Sequence, residues 1–179
     1  MKVDANISAD MTRTGKQAAH LESLGYDGLR IAELNHDPFL PLAIAAEHTN
    51  KVELLTSVAV AFARNPMSMA TLAHDLNAFS QGRMILGLGS QVKPHIERRF
   101  SMPWYKAARQ MREFIEAMNA IFDSWYDGER LEYIGEYYEH TLMPATFTPE
   151  NLESGRPQIN LSATGPLMTK VAAEVADGM

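Results

Sequence analysis

Short apolar runs alternate with longer amphipathic segments five times along this chain, and that rhythm limits the fold more than any other feature. Strand–helix alternation with apolar strands predicts a parallel sheet covered by helices, because parallel neighbours need a long crossover and bury both faces. Lys2–Ile7 reads as the first strand and Met11–Leu24 as a helix, with Asp10 as its N-cap and Gly25 closing it. Gly28–Glu33 is a second strand. Asp37 and Pro38 supply an N-cap and a first-turn proline for a helix reaching about Thr49. Val52–Phe62, rich in β-branched residues, predicts one long third strand. Asn65-Pro66 opens a third helix with an apolar stripe of Met69, Leu72, Leu76 and Phe79, and Gly82 ends it. Met84–Leu88 is a fourth strand. After a polar stretch, a helix from about Trp104 to Trp125 carries Met111, Ile115, Met118, Phe122 and Trp125 at helical spacing. Leu131–His140 reads as a hairpin turning at Gly135, Gln158–Ser162 as a fifth strand, and Pro166 as the start of a fifth helix.

Five such units fit either an open doubly wound sheet or part of a β/α barrel. The open sheet normally places a glycine-rich phosphate loop in its first turn. Here that turn is NISADMTRTG, which is not glycine-rich, and Gly87-Leu88-Gly89 is only half of a dinucleotide fingerprint. The barrel is therefore favoured. At 179 residues the chain is expected to be one domain, 1–179, with an insertion or hairpin region around 127–156.

The net charge of −6 argues against nucleic-acid or membrane-surface partners, which require a broad positive face. There are no cysteines, so disulfides, thiolate nucleophiles and iron–sulfur clusters are excluded. No stretch approaches the roughly 20 apolar residues of a membrane span, and MKVDANISADMTRTGK has no apolar signal region. A cytoplasmic protein is the expectation.

In a β/α barrel, function resides at the C-terminal ends of the strands. Those positions hold Glu33 to His36, Arg64-Asn65, Ser90 to Arg99 and Ala163 to Pro166. Of six histidines, His20, His48 and His74 fall within helices as surface or packing residues, and His36 alone closely follows a strand end. No HxH, HExxH or acidic cluster predicts a metal, and no GxSxG elbow predicts a nucleophilic serine. Lys93, His95, Arg98 and Arg99 crowd the segment after strand four, with Arg64 on a neighbouring loop. That cluster is either a solvated loop or a site for an anionic ligand. The small-residue turn Ser162-Ala163-Thr164-Gly165-Pro166 favours the second, since such a turn offers free backbone N–H groups to a phosphate.

At these residues the sequence resembles the luciferase-like monooxygenase superfamily, specifically its deazaflavin (coenzyme F420)-dependent oxidoreductases. The ordered phrases SLGYDGLRIAE, HDPFLPLAIAAEHT, LLTSVAVAFARNPMSMA, FSQGRMILGLGSQVKPHIERRF and SATGPLMTKVAAEVADG carry the resemblance. It implies a (β/α)8 TIM barrel of the bacterial luciferase-like type, with about five of eight units present. It also implies hydride transfer between F420 and a small organic substrate, in a homo-oligomer, a dimer. FMN-dependent monooxygenation is the alternative, and a non-catalytic flavin-binding shortened barrel is a third reading.

The resemblance further implies a strand-three bulge with a cis peptide at Ser57-Val58 supporting the central ring of the cofactor. Asn35, Ser90 and Gln91 match cofactor contacts, and Ala163, Thr164, Gly165 and Pro166 match the phosphate loop. The family ends strand two on an acid–histidine pair. Glu33 stands in the acid's place, Leu34 where the histidine is expected, and His36 fits with a two-residue slip. Glu33 and His36 are the implied catalytic pair.

A barrel of this kind needs eight units and about 250 residues. VADGM matches the point where the next strand should begin, so strands one and five are expected to keep unpaired edges and the helices to leave core surface uncovered. The expectation is part of a longer protein, or a proteolysed one, ahead of a true half-barrel completed by another chain. The isolated chain is then expected to associate.

Overall fold

A computed structural model describes all residues, 1–179. Six strands form one parallel sheet: β1 (Asp4–Asn6), β2 (Gly28–Ile31), β3 (Glu53–Thr56), β4 (Ala59–Val60), β5 (Met84–Gly89) and β8 (Gln158–Leu161). Spatial order follows the chain, β1–β2–β3 then β5 then β8, with β4 on the same side of β5 as β3. No strand is skipped, which is the connectivity of a barrel and not of an open sheet with a reversal of order. Beyond β8, Gly178 makes an isolated parallel bridge to Asn160.

The helices are α1 (Met11–Ser23), α2 (Phe39–His48), α3 (Pro66–Phe79), α4 (Lys93–Arg98), α5 (Ala107–Tyr126) and α6 (Pro166–Val175). Asp10 caps α1 by accepting from Thr12 N at 3.0 Å, and Asn65 caps α3 by accepting from Ser68 N at 2.9 Å. Gly25 and Gly82 take the left-handed φ values, +87° and +82°, that let the chain leave α1 and α3. Gly135 N donates to Tyr138 O at the turn between β6 (Tyr133–Ile134) and β7 (Glu139–His140), the predicted hairpin.

Two expectations need correction. Val52–Phe62 is not one strand. It breaks at residues 57–58, and Ala61–Ala63 form a turn of 3₁₀ helix. The polar stretch after β5 contains α4, with Ile96 fully buried beneath it. The long helix starts at Ala107, three residues after the expected Trp104, whose ring instead packs edge-on against Phe62 at 5.6 Å.

Register explains which side of the sheet is core. Leu29, Leu54, Leu86, Ile159 and Leu161 point to the helices and are buried, joining the stripes Met69/Leu76 of α3 and Met111/Met118/Phe122 of α5 in one core. The opposite, concave face runs in rows. Asn6, Arg30, Leu55, Ile85 and Gln158 are successive register partners. The row is apolar only at its centre, and Arg30 Nε donates to Asn6 Oδ1 at 3.0 Å. Its outer positions are amides and charges, which water solvates at little cost.

The end opposite the proposed site is tied by two side chains. Glu22 accepts from the backbone N–H groups of Asn50, Lys51 and Val52 at 2.7–3.1 Å. Arg83 donates to the carbonyls of Ala46, Thr49, Val52 and Ser80, closing the C-terminal end of α2.

Candidate functional site

The C-terminal strand ends converge on one rim, and the bulge between β3 and β4 forms part of its floor. Leu55 pairs with Ile85 and Ala59 with Leu88. Four steps along one strand thus oppose three along the other, leaving one extra residue in the bulge. Within it the Ser57–Val58 peptide is cis, as the resemblance implied, with Ser57 exposed. Two glycines of β5 make room for it. A β-carbon at Gly87 would collide with the Thr56 carbonyl oxygen, and one at Gly89 would stand 2.6 Å from Val58 Cγ2. The Gly87-Leu88-Gly89 phrase is thus steric clearance for the bulge.

Glu33 lies two residues beyond the end of β2, beside this bulge. Its amide donates to Val58 O at 3.1 Å, and its buried Oε2 accepts from Val60 N at 2.8 Å and Arg64 Nη1 at 2.7 Å. Leu34, Asn35 and His36 follow, all exposed. Asp37 then turns the chain into α2, its Oδ1 accepting from Phe39 N at 2.8 Å while its Oδ2 accepts from Arg64 Nη2 at 3.0 Å. Across the rim, the Thr12 hydroxyl and amide hold the Asp10 carboxyl below its usual range, and the fields of Arg13 and His36 add to this.

The basic cluster expected from sequence divides on inspection. Arg64 is committed to Glu33 and Asp37 and is not free for a ligand. Arg99 Nη2 donates to Leu34 O at 2.6 Å, and its guanidinium lies 4.7 Å from the Phe100 ring. Lys93 pairs with Glu97 at 3.6 Å, while Arg98 and His95 are exposed without ion pairs.

Ser90 and Gln91 leave β5 together. Gln91 is held at a φ of +60°, a conformation non-glycine residues seldom take and one that concentrates at functional sites. Its own Oε1 accepts from Val92 N at 3.0 Å. Ser162 N donates to Leu88 O at 2.9 Å, setting the Ala163–Pro166 turn beside that segment. Pro166 occupies the first turn of α6, and no side chain caps the helix. The first turn of α5 is likewise uncapped. Between the two lies a cleft of about 590 Å³ lined by Gly165, Pro166, Leu167, Met168 and by Lys106 to Arg109. Lys106 and Arg109 are the charged residues of its lining, with no carboxylate, and most of its wall is apolar, from Ala107, Ala108, Pro166, Leu167 and Met168. Arg109 is paired with Glu136 at 3.2 Å, and Lys106 with nothing. Sequence reasoning missed Lys106, because nothing local marks it; it becomes visible only when α5 and α6 are seen side by side.

No group of three or more metal-ligating side chains occurs, and no helix is long and apolar enough to cross a membrane.

Comparison with known proteins identifies relatives of this arrangement. A family model described as luciferase-like monooxygenase matches residues 2–179. An uncharacterized protein of Mycobacterium tuberculosis is 51% identical over 178 residues, covering 99% of this chain and 52% of that protein. An F420-dependent glucose-6-phosphate dehydrogenase of Intrasporangium calvum is 29% identical over 170 residues, covering 88% of this chain and 49% of the other. The solved structure of the oxygenating constituent of 3,6-diketocamphane monooxygenase from Pseudomonas putida, in complex with FMN, superposes with a TM-score of 0.75 at 18% identity. It covers 90% of this chain and 51% of its own. The chain thus spans about half the length of the curated relatives it matches.

Proposed function

We propose that this chain, which belongs to the luciferase-like monooxygenase family, supplies the cofactor-holding half of a coenzyme F420-dependent oxidoreductase acting on a small organic molecule. The observation that carries the reading is the pairing on one rim of a shaped floor with a cleft edged by Lys106 and the starts of two helices. The bulge at Ser57-Val58, cleared by Gly87 and Gly89, would be the seat, with Ser57 exposed and Val58 half-buried. The uncapped turns of α5 and α6 with Lys106 suit a phosphate and an acidic tail, the features that distinguish the deazaflavin from smaller flavins. The F420-dependent relative supports the same choice.

When bound, the deazaflavin would accept or deliver hydride, and the protein would orient it and handle protons. Ser57, Val58, Ser90 and Gln91 would seat the rings, with Asn35 at their edge. Ala163, Thr164 and Gly165 would hold the phosphate through backbone N–H groups, and Pro166, which has no N–H, would fix the turn into α6. His36, exposed on its loop, would exchange a proton with the substrate. Glu33 would serve through position: its buried oxygen is engaged by Val60 and Arg64. FMN is the competing ligand, since an FMN complex exists on the same fold.

Parallel titrations with F420 and FMN, followed by fluorescence quenching, test the proposal. Tighter F420 binding is expected. Equal or tighter FMN binding would overturn the cofactor choice, and no binding of either would overturn the function. Sedimentation of the same sample tests the dimer.

A further inference from the structure

We propose that Arg64 is a positioning residue that fixes the His36 loop to the bulge of the cofactor seat. The proposal rests on the functional reading above for the meaning of that spacing, but the latch itself is a property of this chain alone.

Residues 34–36 are exposed, and the only side chain that holds any of their backbone is that of Arg99, at the Leu34 carbonyl. What fixes the segment is its two flanks, and one guanidinium holds both. Nη1 of Arg64 donates to Glu33 on the strand side, and Nη2 donates to Asp37 on the helix side. The same Nη1 also donates to Val60 O at 3.2 Å, and the guanidinium carbon lies 5.5 Å from the centre of the Phe39 ring. Glu33 in turn accepts from Val60 N and donates its own amide to Val58 O. The bulge, the end of β2 and the start of α2 therefore meet at a single planar cation whose forked geometry sets their spacing. Its side chain is 18% exposed and that of Glu33 8%, so solvent screens the inner pair poorly. The outer pair, with Asp37 39% exposed, is the weaker arm.

A lysine preserves the charge but cannot span two carboxylates from one planar group. Arg64→Lys should therefore release the loop while leaving the sheet intact. The test is backbone ¹⁵N relaxation on the 179-residue chain without any ligand. Order parameters of Leu34, Asn35 and His36, near about 0.8 in the parent, should fall below about 0.6, the range of flexible backbone. Those of β3 and β5 should not change. Asp37→Ser keeps a capping hydroxyl for α2 but removes the reach to Arg64. It should loosen 35–37 while the Val60 amide stays protected from exchange by Glu33. Unchanged order parameters at 34–36 in both variants would overturn the latch. So would an equal loss across β3 and β5, which would make Arg64 a general structural residue. Because no cofactor enters the measurement, failure of the latch and failure of the F420 reading are told apart.

Discussion

The Thr56 carbonyl oxygen occupies the space where a β-carbon on Gly87 would project, and the Thr56 hydroxyl donates to the Gly87 carbonyl at 2.8 Å. The two residues lock the end of β3 to the middle of β5, immediately before the bulge. Gly87→Ala must displace backbone, because the obstructing atom is the backbone carbonyl oxygen of the buried Thr56 and not the tip of a flexible chain. We expect a loss of about 1–3 kcal/mol, typical of overpacking in a rigid core, measured as a shift in the urea midpoint. Thr56→Val, which removes only the hydroxyl bond, should cost about 1 kcal/mol. A Gly87→Ala variant as stable as the parent would show that β3 moves freely here.

This pair also shows what the sequence could and could not disclose. The parallel half-barrel was legible because five apolar runs and five stripes such as Met111/Ile115/Met118/Phe122 state their periods locally. The caps Asp10 and Asn65 and the stops Gly25 and Gly82 were legible for the same reason. The interruption of strand three was not, since Val52–Phe62 has unbroken β-propensity and the cause lies in β5, about thirty residues away. The bulge entered only through the resemblance. Arg64 was misread as ligand-facing because charge is local information, whereas its partners Glu33 and Asp37 belong to another unit. Glu22 and Arg83 gave no signal for that reason too.

Glu22 makes stability depend on acid. Burial alone would raise its carboxyl pKa, but the N–H groups of Lys51, Val52 and Asn50, with the field of Arg83, hold it below the usual range. A folded pKa below the unfolded one means the contribution is complete above the unfolded value, near 4.3, and is lost as pH falls through the folded value. Glu22→Gln should cost about 1 kcal/mol at pH 7, given its partial exposure. The gap between variant and parent should close toward pH 3 in urea titrations at each pH. A gap independent of pH would contradict the assignment.

Two histidines act at milder acidity. Burial lowers the pKa of His74, whose Nδ1 lies 2.8 Å from the Tyr126 hydroxyl, with Asp75 opposing weakly. Burial also lowers that of His140, whose Nε2 has no partner. The unfolded chain takes up these protons as pH drops below about 6.5, while the native one resists. Stability should therefore be full above that pH and decline below it, well before the Glu22 contribution is lost. His74→Gln with His140→Gln should flatten the curve between pH 6.5 and the folded values. A parent curve that is already flat there would count against buried neutral rings.

The last prediction locates recognition of the cofactor's charge. Two cationic groups flank the rim: Lys93, Arg98 and His95 around α4, and Lys106 beside the turns of α5 and α6. On α4, Lys93 already faces Glu97, and Arg98 points to solvent, where water screens a fixed charge within about 10 Å at 0.1 M salt. Lys106 instead has no carboxylate partner and shares its cleft with two uncapped helix starts, whose partial positive charges add to its own. An anion placed there meets backbone donors and a cation together. Lys106→Gln should weaken F420 binding by about tenfold at low salt, the scale of one charge-assisted contact. It should leave FMN, which carries a single phosphate and no acidic tail, less affected. Arg98→Ala and Lys93→Ala should each give a smaller loss that disappears by 0.5 M salt. If Arg98→Ala proves the more damaging change, the acidic tail runs over α4, and the α5–α6 cleft holds at most the phosphate.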